Sequence, residues 1–507
     1  VSQNPPTSGR RQWIGLTVLL LPCLLIAMNM TVLVYALPFI SADLAPTAAQ
    51  QLWIMDIYSF VLAGLLVAMG TLGDRVGRRR LMLIGAATFA AASVLGAFST
   101  SPTMLIISRA VLGLAGAVLE PSTLSLIRAM FHDPRQRTVA ISVWTAGLSA
   151  GALLGPLLGG VLLEHLPWGS VFLINVPFML LLLVIAPLLV PEYKAANPGR
   201  FDLPSAALSL LAVLPVIFGI KQVAEGGLGP AAIAGIVVGL GFGAVFMHRQ
   251  RRIEHPMIDL RLFRAPAFSV SVLVNLFALF TMTGFGLYTA QYLQLVVGLS
   301  PLQAGLWALP AIGAMIASAS MTALFVRWTR PGYVLGAGVG LGAVGLALMT
   351  GTGAEPSHGL VVVVLGAAVM QLGLGVVLTL ASDMIISTAP PERAGAAAGL
   401  AQTGQEFGGA LGIAVLGSIG SAVYLAQLPA DVTGEARETL GGAVAVAARL
   451  GGEAATRLLE VARAAFVSGM QWSALVAAAV LAVLAVAATV LLRRVEADRG
   501  QDEKAAV

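Results

Sequence analysis

The sequence predicts an all-α, polytopic membrane protein of about fourteen spanning helices, and three observations predict it. Of 507 residues, 58% are apolar and only 10% charged, whereas about a quarter of residues are charged in soluble chains. Apolar runs of about 20 residues, the length that crosses a bilayer, follow one another almost to the C-terminus. Lys and Arg collect in every second gap between those runs, as positive charge collects on the cytoplasmic side of a membrane.

The spans fall near 13–40, 51–71, 81–99, 103–128, 138–162, 168–190, 203–223 and 229–247, then 267–290, 303–326, 332–350, 359–387, 394–424 and 468–492. Arg10 and Arg11 precede the first run, which is too long for a cleavable signal peptide. The second and third spans are joined through Arg75, Arg78, Arg79 and Arg80, the fourth and fifth through Arg135 and Arg137. Lys194 and Arg200 follow the sixth; Arg249, Arg251, Arg252, Arg261 and Arg264 follow the eighth. Arg327, Arg330 and Arg393 continue the alternation, and the tail begins at Arg493. The intervening short loops hold no Lys or Arg, with Lys221 ambiguous at a helix end. Both termini are therefore expected in the cytoplasm. Segment 425–467, mixed apolar and charged, reads as a long outer loop folded into a pair of short amphipathic helices.

The net charge of +5 is taken up by this topology, so no nucleic-acid partner is implied. Cys23 is the only cysteine and can form no intrachain disulfide. No Gly-x-x-x-x-Gly-Lys-Ser/Thr loop occurs, so ATP is not the direct energy source. No nucleophile–base constellation suggests an enzyme, and no metal site is expected.

The chain also repeats itself. Gly151-x-x-x-Gly155 recurs as Gly408-x-x-x-Gly412, and Gly73-Asp74-Arg75-Val76-Gly77-Arg78 has a weaker echo in Val326-Arg327-Trp328-Thr329-Arg330-Pro331. Both pairs lie roughly 250 residues apart, as spans 1–6 repeated as 9–14 would place them. Residues 1–190 then form an N-terminal six-helix bundle and 191–266 two inserted helices with their linker. Residues 267–492 form a second six-helix bundle carrying the outer loop, and 493–507 a cytoplasmic tail. Such repeats place a substrate cavity where two rocking bundles meet.

Three motifs carry chemistry. In Gly70-Thr-Leu-Gly73-Asp74-Arg75-Val-Gly77-Arg78-Arg79-Arg80, an acid and several arginines stand where helix ends expose their dipoles. Charges there can latch one bundle against the other. In Arg109-x-x-x-Gly113, an arginine within a span needs a partner or water, unless it snorkels to the nearby surface. In Gly151-Ala-Leu-Leu-Gly155-Pro156-Leu-Leu-Gly159-Gly160, small residues form a stripe for close helix approach, and Pro156 removes a backbone donor.

These motifs resemble, in order, the signature loop, the buried-arginine motif and the antiporter motif of the major facilitator superfamily. The stretch from Gln50 through Trp53, Asp56 and Tyr58 to Gly64 is similar to helix 2 of the fourteen-helix drug:proton antiporters. So are Met28-Asn29-Met30-Thr31 with Ala36-Leu37-Pro38, Phe172-Leu-Ile-Asn175-Val-Pro177, and Pro256-Met-Ile-Asp259-Leu-Arg261-Leu-Phe263. The likeness runs from about residue 12 to 490. It implies a major facilitator fold in a bacterial cell membrane, exporting lipophilic, mainly cationic drugs, dyes or antiseptics by alternating access. It implies no cofactor, only a proton gradient, with a monomer as the expected working unit. Segment 425–467 fits the external hairpin that such pumps carry.

Protons must ride on carboxylates, since His132, His165, His248, His255 and His358 lie in loops or at helix ends. Asp56 and Glu406 are the first candidates and Glu120 the third; Asp383 lies near a helix end. Asp56 and Arg109 sit at similar depth, so they can pair. Expelling a monovalent cation against 100 mV costs about 2.3 kcal/mol, and each returning proton recovers as much. One pH unit adds about 1.4 kcal/mol per proton, so one-for-one exchange accumulates the cation only about tenfold. Two protons leave about 5 kcal/mol, which favours two titrating sites.

The resemblance also exposes departures. Asn29 stands where quaternary-ammonium pumps place an aspartate, Gln402 where a further glutamate is common, and Ala314 or Met315 where some have an aspartate. Asn29, Trp53, Tyr58, Arg109 and Gln402 are expected to line the cavity, with position 29 within reach of a bound drug. Two other functions compete: export of one endogenous metabolite or antibiotic, and nutrient uptake by proton symport, against which the antiporter motif speaks.

Overall fold

The computed structural model describes residues 10–131, 133–194, 202–226, 229–253, 261–353, 356–388 and 394–493. Arg200, Pro256, Asp259, Arg393 and the tail beyond Arg493 lie outside them. Every predicted span coincides with helix. The first nine helices are α1 (Arg10–Leu44), α2 (Ala48–Val76), α3 (Arg78–Ala97), α4 (Pro102–Met130), α5 (Pro134–His165), α6 (Ser170–Leu173), α7 (Asn175–Leu189), α8 (Leu203–Gly226) and α9 (Pro230–Arg252). After a short 3₁₀ turn come α10 (Pro266–Gln291), continued by a π turn over Tyr292–Val296, and α11 (Pro301–Trp328). The chain finishes with α12 (Pro331–Met349), α13 (Pro356–Thr388), α14 (Ala394–Gln427), α15 (Glu435–Glu438), α16 (Leu440–Leu450) and α17 (Gly452–Leu492). Among the described residues, thirteen helices are long and apolar enough to cross a membrane, and the expected fifth span contributes the shorter apolar stretch Ala150–His165.

Their outer faces are apolar. Val184 on α7, Val237 and Leu240 on α9, and Val483 and Val486 on α17 are each more than 60% exposed, a pattern suited to lipid and costly in water. Several polar and charged side chains are buried among the helices, Asn29, Asp56, Arg109, Glu120 and Lys221 among them, where a missing hydrogen bond is costly.

Two differences from the predicted elements are informative. The sixth span is divided at Ile174 into α6 and α7, and Asn175 starts α7, its amide donating to Ser93 Oγ at 3.1 Å. The expected pair of short helices in 425–467 is instead α15, α16 and the first turns of α17. Gly451 and Gly452, at φ +67° and +60°, turn the chain after α16, because only glycine adopts such angles without strain. Beyond them nothing breaks the helix. Arg457, Glu460 and Arg463 interrupt the hydropathy of α17 but not its backbone.

The helices divide into two compact units. The first comprises Val1–Met257, Ala290–Leu306 and Leu425–Arg463; the second comprises Ile258–Thr289, Trp307–Tyr424 and Ala464–Val507. The inserted helices α8 and α9 pack together within the first unit, and α8 also packs on α2.

The same contacts recur inside both units. In the first, Gly151 lies against the Leu24 backbone and Gly113 against the Tyr58 carbonyl. In the second, Gly408 lies against the Leu276 backbone and Gly375 against Met315. A side chain at any of these glycines would collide with backbone, so the repeated glycines keep helices at repeated distances.

Candidate functional site

The N-terminus of α2 is fixed by a capping box. Thr47 Oγ1 accepts from Gln50 N at 3.2 Å, and Gln50 Oε1 accepts from Thr47 N at 3.0 Å, satisfying two otherwise orphaned donors. Two turns into the helix, Asp56 is fully buried. The pairing with Arg109 that their similar depth allows is not the contact that forms. Lys221 of α8 places its ammonium 3.0 Å from Asp56 Oδ2 and 3.1 Å from Oδ1. The same ammonium lies 3.8 Å from the centroid of the Trp53 ring. Lys221 is 1% exposed rather than at a helix end, because α8 runs on to Gly226. Gly64 gives the Leu210 side chain room, and Ser209 Oγ donates to the Gly64 carbonyl at 3.3 Å, holding α8 against α2.

Arg109 turns inward rather than snorkelling. Nη1 donates to Asn29 Oδ1 at 2.6 Å, Nε to the Ile54 carbonyl at 3.2 Å and Nη2 to the Met55 carbonyl at 3.5 Å. The guanidinium carbon stands 4.6 Å from the Tyr58 ring centroid. Gly113 explains the spacing of its motif. It brings α4 onto α2 at the Tyr58 carbonyl, so the arginine one turn earlier reaches carbonyls 54 and 55. Asn29, expected within reach of a drug, is 1% exposed and engaged with Arg109, while its Nδ2 has no hydrogen-bond partner among the described residues.

Glu120 is buried elsewhere in the same unit. Its Oε2 makes no hydrogen bond among the described residues. Thr123 Oγ1 donates to the Glu120 carbonyl at 2.8 Å and accepts from Trp144 Nε1 at 3.2 Å, with Cys23 Sγ 3.5 Å away. Glu406 and Gln402 are half-buried on α14 in the second unit. Beside them Gln405 Nε2 donates to Asn275 Oδ1 and Ser382 Oγ, both at 3.3 Å. Asp383 is exposed. Asp56, Trp53 and Lys221 thus form one cluster, and Arg109, Asn29 and Tyr58 an adjoining one.

At the α2–α3 junction, Gly77 at φ +117° replaces a loop. Arg78 Nη2 pairs with Asp74 at 2.6 Å. Arg79 Nη1 donates to the Val190 carbonyl at 3.0 Å and the Pro187 carbonyl at 3.3 Å. The carboxylate that organises this junction is Glu192, which accepts from the amides of Arg79 at 2.9 Å and Arg80 at 3.2 Å. Sequence reasoning missed it, although an acid directly after the sixth span, on the basic side, was a visible signal. Gly70 makes only ordinary contact with Pro121, and Arg75 is exposed.

On α5, Gly155 packs on Thr31 and the Met28 carbonyl and Gly159 on Val32, continuing the stripe from Gly151 along α1. Gly160 faces the Leu302 backbone, and the Pro156 carbonyl meets Gly305.

The profile described as Major Facilitator Superfamily matches residues 19–413. The chain is 46% identical over 500 residues to the "Multidrug efflux pump LfrA" of Mycolicibacterium smegmatis, covering 96% of this chain and 98% of the relative. It is 35% identical over 468 residues to the "Methyl viologen resistance protein SmvA" of Salmonella typhimurium, covering 90% and 93%. Among solved structures, a bacterial homolog of the human lysosomal transporter Spinster superposes with a TM-score of 0.69 at 17% identity, covering 97% of this chain and all of that one. That last likeness concerns the fold.

Proposed function

The chain belongs to the major facilitator superfamily, and from that premise we propose that it exports lipophilic, mainly cationic drugs, dyes or antiseptics in exchange for protons. It is a multi-pass transporter of the bacterial plasma membrane and not an enzyme. Relatives named for multidrug efflux and methyl viologen resistance support a lipophilic cationic cargo.

Proton coupling is carried by one observation. Asp56 is a carboxylate sealed from solvent within a membrane helix and held by the Lys221 ammonium. A buried ion pair persists only while both partners stay charged, so a proton arriving on Asp56 dissolves it. Binding and release of that proton is an event α2 and α8 must register, and alternating access needs such an event. Glu120 and Glu406 are the candidates for a second proton. The junction of Asp74, Arg75, Arg78 and Arg79 serves as a latch released in each cycle, and the monomer suffices for transport.

Respiring everted vesicles test this. Adding a monovalent dye should discharge the pH gradient in wild-type vesicles and leave it intact with Asp56→Asn at equal expression. Dye efflux that ignores an uncoupler, or an Asp56→Asn variant that still discharges the gradient, overturns the proton assignment.

A further inference from the structure

We propose that Asp56 and Trp53 form a site for an organic ammonium group, that Lys221 occupies it as a tethered cation, and that Lys221 thereby sets the charge class of the exported compounds. A carboxylate beside an aromatic face is the arrangement that recognises ammonium groups. Here the Lys221 ammonium has both components, 3.0 and 3.1 Å from the two carboxylate oxygens and 3.8 Å from the Trp53 ring centroid.

The box is rigid. The capping box fixes the start of α2, and Gly64, Leu210 and Ser209 hold α8 at close range. It lies about 12 Å along α2 from Ala48, at 1.5 Å rise per residue. Arg109, the other cation of this neighbourhood, bonds to Asn29, Ile54 and Met55. The negative charge of Asp56 is therefore answered from within the chain, by a helix inserted between the two repeated halves.

A tethered group acts at an effective concentration in the mM range, so an exported cation gains this carboxylate only by displacing Lys221. Compounds with one delocalised charge lose little by this. Compounds with a second localised charge find no free acid at α2. The substrate part of the proposal rests on the export reading above, whereas the ammonium site does not.

Two variants test it separately. Lys221→Ala empties the box, and propylammonium chloride should refill it. The purified variant should gain about 3 °C in Tm at saturation, with no gain from propanol and none in Lys221→Ala/Asp56→Asn. No gain in the single variant, or an equal gain in the double, overturns the site. Lys221→Met keeps the packing of the stem and removes the charge. In cells at matched expression it should raise resistance to methyl viologen relative to ethidium about fivefold, equivalent to about 1 kcal/mol. An unchanged ratio overturns the specificity role. If Lys221→Ala does not fold, the Lys221→Met ratio decides. If the wild type exports neither compound, the export reading fails and the propylammonium titration still decides the site.

Discussion

Asp56 and Lys221 lie 165 residues apart in the chain, yet their charged groups meet at 3.0 Å with both side chains sealed from solvent. One belongs to a helix of the first repeat and the other to an inserted helix, so the pair ties the insertion to the bundle.

That pair should show strong coupling in stability. Asp56→Asn leaves a buried ammonium without its partner, a loss of about 3–5 kcal/mol. Asp56→Asn/Lys221→Met should recover much of it, because the double variant leaves no buried charge without its partner. Thermal unfolding of the four proteins of the cycle in detergent measures this, and additive losses would show that the pair is not coupled.

Asn29→Asp should not widen the range toward dications. Its Oδ1 already accepts from Arg109, so an aspartate there would pair with that arginine and leave no free charge. The methyl viologen to ethidium resistance ratio should stay at the wild-type value while Tm rises. A higher ratio with unchanged Tm would place residue 29 against the cargo.

Glu192→Ala should weaken the α2–α3 junction by about 1 kcal/mol, since its carboxylate serves the first amides of α3 where the helix dipole favours an anion. Efflux should slow while dye binding to the purified protein keeps its affinity. Loss of binding in step with efflux would remove the junction from any latch role.

Gly155→Leu should abolish transport and lower folded yield. Any side chain there meets Thr31 and the Met28 carbonyl, and overpacking costs about 1–3 kcal/mol before function is considered. A fully active, well-expressed variant would show that α1 and α5 do not need this approach.

Asp202 gives the α8–α9 pair an acid-sensitive tie. Partial burial opposes its charge, but hydrogen bonds from Ser205 and Arg249 outweigh that and hold its pKa below the usual aspartate value. A lowered pKa means the stabilisation is complete above the unfolded value of about 3.9 and is lost as pH falls through the folded one. Hydrogen exchange in α8 and α9 should therefore accelerate below about pH 4 in the wild type. Asp202→Asn should exchange faster already at neutral pH and lack the acid step; an unchanged acid step in that variant would assign the tie elsewhere.

The membrane helices were legible because hydropathy is a local property: a run of apolar residues must be long enough to cross lipid whatever surrounds it. The glycine stripe Gly151–Gly155–Gly159 was legible for the same reason, its spacing already marking one helix face. The first turns of α17 were not, because charge at Arg457, Glu460 and Arg463 hides a helix from hydropathy without breaking its backbone. The site was half legible. Asp56, Arg109 and Glu120 announce themselves as charges within apolar runs, but a charge in a run does not name its partner. Lys221 is ambiguous at a helix end in the sequence, and Glu192 does not announce which amides it serves. By itself the sequence determined the helices, the family and which side chains must be satisfied inside the membrane. Only tertiary structure decided that Lys221 answers Asp56 and Asn29 answers Arg109, because pairing depends on which helix faces pack together, and that contact joins residues far apart in the chain.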